Sequence, residues 1–216
     1  MRKSFISSPV RRNQVESYLL LTLMALALSV IVTRVFLELT GYPQLGGGQL
    51  HIAHVLWGGL LLYVAALLPL ILVNRWALTA SAILNGIGVG LFIDEVGKFI
   101  TQDHNYFYRP AAPIIYAFFL LSVLLFLYVC KPHQSNPREA LYHTTEELPT
   151  AIDRPFTPDE RVYMATQLQI AQQVQTTALS RLATVLSDYV QDEQLPVVVA
   201  GIGRQKKLSG LLLGLM

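Results

Sequence analysis

Charge is what this chain has least of. Asp, Glu, Lys and Arg make up 14% of its 216 residues, while 53% are hydrophobic; a soluble domain carries about 25% charged residues. A wholly soluble protein is excluded, and a membrane protein with a polar appendage is expected. A dense basic patch is also missing. Residues 1–130 hold 8 Lys/Arg and 5 Asp/Glu, and residues 131–216 hold 8 and 9, so no nucleic-acid partner is expected. Cys130 is the single cysteine, which rules out an intrachain disulfide and a cysteine zinc site. It reads as a free thiol at a membrane interface, with lipidation as the alternative. No G-x-S-x-G elbow, P-loop or G-x-G-x-x-G fingerprint occurs. Gly86-Ile87-Gly88-Val89-Gly90 lies inside an apolar run and reads as packing.

What is there is long apolar runs. Four stretches reach the roughly 20 residues that a spanning helix needs: 17–38, 52–73, 77–100 and 111–130. None shows the period-2 alternation of a membrane barrel. Backbone groups in lipid must be bonded internally, so helices remain. Arg11 and Arg12 followed by Ala25-Leu26-Ala27 imitate a secretion signal. The run continues past Thr33, too far for a signal core, and reads as an uncleaved first span. Short connections predict an up-down-up-down bundle. Lys and Arg flank the spans at Arg2, Lys3, Arg11, Arg12, Arg75, Lys131 and Arg138. This bias predicts that both termini are cytoplasmic and that the protein lies in the cell (inner or plasma) membrane.

The domain reading follows. Residues 1–16 form an N-terminal flank and 17–130 a four-helix transmembrane domain. Residues 131–156, broken by four prolines, form a linker with one short helix around 139–147. Thr157-Pro158-Asp159-Glu160 has the form of a helix start, and residues 157–190 are expected as one cytoplasmic amphipathic helix. Its apolar positions Met164, Leu168, Ala171, Ala178, Leu182, Val185 and Tyr189 offer a seam for self-association, for docking on the chain's own bundle or the membrane, or for a partner helix. Residues 191–216 form a basic and apolar tail suited to a membrane surface. The predicted fold class is all-α.

The polar residues gather at one set of span ends. Spans one and three are parallel, and each has 17 uncharged residues before its first charge, Arg34 and Asp94. At 1.5 Å per residue that is about 25 Å, which sets both charges just inside the outer boundary of a core of about 30 Å. Nearby in the pattern lie Glu38, His51, His54, Glu95, Lys98, Asp103, His104 and Arg109. Gly86, Gly90, Asp94 and Gly97 share one face of span three, and Gly58 shares one with His54, so His54 and Asp94 are expected to point inward. His54, Asp94 and Glu95 are the candidate acid–base residues. Glu38, His51, His54, Asp94 and His104 are the candidate ligands of a divalent metal such as zinc, and Arg34, Lys98 and Arg109 the candidate phosphate holders. The blander reading stands beside this one: Arg34–Glu38 and Asp94–Lys98 as ion pairs neutralising helix ends. Asn85, in mid-span, reads as an interhelical hydrogen bonder.

Phe92-Ile93-Asp94-Glu95-Val96-Gly97-Lys98-Phe99-Ile100, followed by Tyr106-Phe107-Tyr108-Arg109-Pro110-Ala111, resembles a signature of bacterial multi-spanning membrane proteins. The resemblance covers spans two to four and implies no activity. Three functions are compatible with the residues. The first is a polar, metal-holding site at the outer face that binds or processes a lipid or small polar ligand. The second is a non-enzymatic scaffold or sensor whose cytoplasmic helix self-associates or recruits a partner. The third is a small transporter subunit, disfavoured because the polar groups sit near one face and not at the midplane.

Overall fold

The computed structural model describes residues 9–41, 54–96, 100, 110–131, 136–174 and 176–192. Among the described residues the protein is all-helical and forms two compact units. One comprises Gln14–Pro132, the other Met1–Asn13 with His133–Met216.

The first unit holds α1 (Val15–Thr40), α2 (His54–Ile71), α3 (Arg75–Asp94) and α4 (Ala111–Val129). All four are long and apolar enough to cross a membrane. The α1 helix ends at Gly41, whose φ of 68° lets its N–H reach back to the Leu37 carbonyl. The third helix stops at Asp94, with Glu95 as its C-cap, short of the Ile100 end that its sequence suggested. The first charged pair of the run is where the helix ends.

The α3 helix is central, packed on α1 along one side and on α2 along the other. Glycines set both spacings. A Cβ on Gly86 would collide with the Thr22 carbonyl oxygen of α1. On the other side Gly58 and Gly88 face each other, and a Cβ on Gly58 would lie 2.8 Å from the Gly88 carbonyl oxygen. Such contact brings backbones close enough for hydroxyls to bridge helices. Thr22 Oγ1 donates to the Ala82 carbonyl at 3.1 Å, and Ser29 Oγ to that of Ile87 at 3.1 Å.

Pro69, inside α2, has no N–H to give the carbonyl four residues back, that of Ala65. Ser81 Oγ of α3 donates to that carbonyl at 2.7 Å. The proline defect is thereby repaired from the neighbouring helix, as a backbone group in hydrocarbon requires.

Among the described residues the four helices pack in the order α2–α3–α1–α4, with α4 against α1, and Ala111 is the one buried residue of α4. Nothing in its sequence obliges closer contact: its 19 residues have no glycine, and Ser122 returns its hydrogen bond to its own helix, at the Phe118 carbonyl.

The second unit holds α5 (Pro137–Asp153), α6 (Pro158–Ala171) and α7 (Thr177–Gln191). It corrects two expectations. Most of the supposed linker is α5, begun by Asn136, whose side chain accepts from Glu139 N, with Pro137 at the first helical position. The expected single helix over 157–190 is two helices, turning after Ala171. Thr157 and Glu160 do form the capping box at its start. The turn falls beside Gln175, where the apolar seam has no side chain to bury. The chain then folds back, and Met164, Leu168 and Ala171 meet Ala183 and Val190 in a core that includes Phe156. Arg161, at the start of α6, donates to the Val190 and Asp192 carbonyls at 2.7 Å each and ties the hairpin's open end.

Residues of the N-terminal flank belong to this unit. Asn13 donates to Glu146 at 3.0 Å through its backbone N–H and to Glu147 through its side chain, and accepts from Tyr163 at 3.2 Å. Arg12 pairs with Glu146 at 3.2 Å. Gln14, next in the chain, has a φ of 57°, the left-handed conformation, at the junction with α1.

Candidate functional site

Three helix ends supply the site. Arg34 stands in the penultimate turn region of α1, His54 opens α2, and Asp94 closes α3. The Asp94 carboxylate is wholly buried. Arg34 Nε donates to its Oδ1 at 2.5 Å, and His54 Nε2 lies 3.3 Å from its Oδ2. That second approach is at ion-pair distance without being aligned as a hydrogen bond. One carboxylate thus joins all three helices of the tightly packed layer.

Backbone ends are served in the same place. Arg34 Nη2 donates to the Asp94 carbonyl at 3.2 Å, one of the carbonyls that a helix C-terminus leaves unsatisfied. A cation there also meets the negative end of the α3 dipole. Glu95, 2% exposed, accepts from Val55 N–H at 3.0 Å. This places an anion at the N-terminus of α2, where first-turn N–H groups lack partners and the dipole is positive. Two neighbouring acids at the end of one helix therefore have different duties: Asp94 gathers cations, and Glu95 caps the adjacent helix beside His54.

The arrangement has one clear chemical capacity. A histidine ring and a carboxylate side by side are the groups that general acid–base chemistry uses. The His54 side chain is 22% exposed and that of Arg34 37%, so both groups that flank the buried anion are reachable from outside the layer.

The sequence-derived site is thus partly assembled. Arg34, His54 and Asp94 come together, and Glu95 joins through Val55. Glu38 does not: it is exposed and bonds none of the described residues. Arg34 turns to Asp94 and not to its i,i+4 neighbour. A charge on a wholly buried carboxylate needs compensation, and a glutamate in a polar setting does not. His51, Lys98, Asp103, His104 and Arg109 lie outside the described residues. Among the described residues no three of His, Cys, Asp and Glu are placed to hold a metal. Arg34 holds one Asp94 oxygen, and Glu95 turns to a backbone N–H. The Arg34–Asp94 partnership was missed in the sequence, although its signal was there. Equal uncharged lengths on parallel spans set both residues at one depth.

Comparison with protein-family models, with curated proteins and with solved structures gives no match.

Proposed function

We propose that the protein is a multi-pass membrane protein whose Arg34–Asp94–His54 cluster, with Glu95, forms a polar site near the outer face. The site binds a small polar ligand or the polar part of a lipid, and His54 exchanges a proton with it. The observation that carries this reading is the pairing of a partly exposed imidazole with a wholly buried carboxylate at 3.3 Å. A purely structural ion pair needs only Arg34, and the histidine adds ring nitrogens that can donate or accept a hydrogen bond beside the carboxylate. The lysine and arginine bias of the flanks supports cytoplasmic termini, hence an outward cluster. The resemblance of the 92–100 stretch supports a bacterial inner membrane.

Melting in phosphatidylglycerol against phosphatidylcholine bilayers tests it. The expected result is a stabilisation by the anionic lipid that is absent in His54→Gln. Identical melting in both lipids, or an unchanged lipid effect in His54→Gln, contradicts it.

A second reading is supported by α7. Leu182, Val185 and Tyr189 share a face at i, i+3 and i+7 and are 43%, 59% and 47% exposed. With Ala178, also exposed, they are what remains of the predicted seam once Met164, Leu168 and Ala171 are buried within the unit. Such a face suits a scaffold that pairs or recruits a partner helix. Loss of oligomeric state on Leu182→Ser with Tyr189→Ser supports that role, and unchanged assembly opposes it.

A further inference from the structure

Asn85 is the eleventh of the 20 residues of α3. At 1.5 Å per residue it lies about 15 Å from either end of the helix, hence at the middle of the hydrocarbon. Its side chain is exposed and makes no hydrogen bond with any described residue. Its position contrasts with that of three hydroxyls of the same layer. Thr22, Ser29 and Ser81 each reach a carbonyl of a neighbouring helix. An asparagine at the midplane is too short to bring its amide to water, and lipid tails offer it neither donor nor acceptor.

The row of helices explains why none of the described helices covers it. The glycines of α3 are used towards α1 and α2, and α4 packs on α1 instead of closing over α3. Leu78, Val89 and Phe92 share the Asn85 face at i−7, i+4 and i+7, and Phe92 is 53% exposed. Ser81, at i−4, gives its hydroxyl to α2, so the face is apolar but for one amide that points outward.

We propose that this face of α3 is the interface with a second copy of the chain, the two Asn85 amides pairing across a two-fold axis. The amide is self-complementary, because each carries both a carbonyl acceptor and N–H donors. A two-fold axis places the same patch on both partners, so each donor meets an acceptor and each apolar flank meets its like. No complementary group of another protein is needed. This inference is independent of the reading of the Asp94 cluster.

The test uses the full chain, labelled at its own Cys130 and counted by single-molecule photobleaching in bilayers over a series of lipid dilutions. The wild type is expected to pass from dimer to monomer on dilution. Interhelical hydrogen bonds of this kind contribute about 1–2 kcal/mol, so Asn85→Leu is expected to weaken the dimer about fivefold to thirtyfold. Asn85→Gln, which keeps the amide, is expected to recover most of the loss. A melting curve in detergent that matches the wild type shows Asn85→Leu to be folded. In a Cys130→Ser background, Val89→Cys is expected to cross-link between copies and Leu28→Cys, on α1, is not. A wild type that stays monomeric at every dilution overturns the proposal. So does an Asn85→Leu dimer as tight as the wild type, or cross-linking at Leu28→Cys without Val89→Cys.

Discussion

Asp94 shows how much one residue's surroundings change its meaning. Its sequence neighbours offer Lys98 as the obvious partner, but its carboxylate is bound by Arg34 from a helix 60 residues away. Ser81 is a similar case: an unremarked serine in an apolar run closes the gap that Pro69 opens in α2. Ser81→Ala is expected to cost about 0.5–2 kcal/mol, because it leaves a buried carbonyl without a partner. Detergent unfolding of the purified protein measures this. Glu160 gives a pH signature in the other unit. The Arg154 guanidinium, followed by Thr157, holds its carboxyl down at about 2, against the partial burial that opposes ionisation. A carboxyl lowered in the folded state adds stability above its unfolded value near 4.5 and loses it as pH falls through about 2. The unit is expected to weaken between these values, and Glu160→Gln to flatten that part of a melting-temperature profile. Because Arg154 is about half exposed, solvent screening keeps the gain small.

At the scale of the helices, close approach depends on the absence of side chains. Gly86→Val is expected to push α3 off α1, since even a Cβ meets the Thr22 backbone. A loss of about 1–3 kcal/mol is typical of such overpacking, and it should exceed that of Gly59→Val, where a Cβ meets nothing. Unfolding of the two variants side by side checks the difference. Element identity was largely legible. Four apolar runs could only be helices in lipid, and the Thr157–Glu160 capping box marked the start of α6. What periodicity could not reveal was where the tail folds back. Met164 and Val190 lie on one continuous apolar seam whether the helix is straight or broken, and only the core they share, together with Arg161 reaching Val190, distinguishes the hairpin. The α5 helix was obscured by its prolines, although Pro137 sits at the first helical position, where its missing N–H costs nothing.

At the scale of the whole molecule, helix length and charge position act together. Parallel spans with equal uncharged lengths deliver Arg34 and Asp94 to one depth, and α2 brings His54 to the same place by starting there. Depth could be read from the sequence. Partnership could not, because it depends on which helices are adjacent, and the open row α2–α3–α1–α4 puts Asp94 between Arg34 and His54. A double-mutant cycle between Arg34 and Asp94 tests this junction most directly, with Arg34→Gln, Asp94→Asn and the double variant unfolded in the same detergent. Removing one partner of a buried ion pair leaves the other charge uncompensated, at a cost of about 3–5 kcal/mol. The expected result is two costly single variants and a double variant little worse than either. Single-variant losses that simply add, to within about 0.5 kcal/mol, would contradict the claim that Asp94 joins α3 to α1 through Arg34.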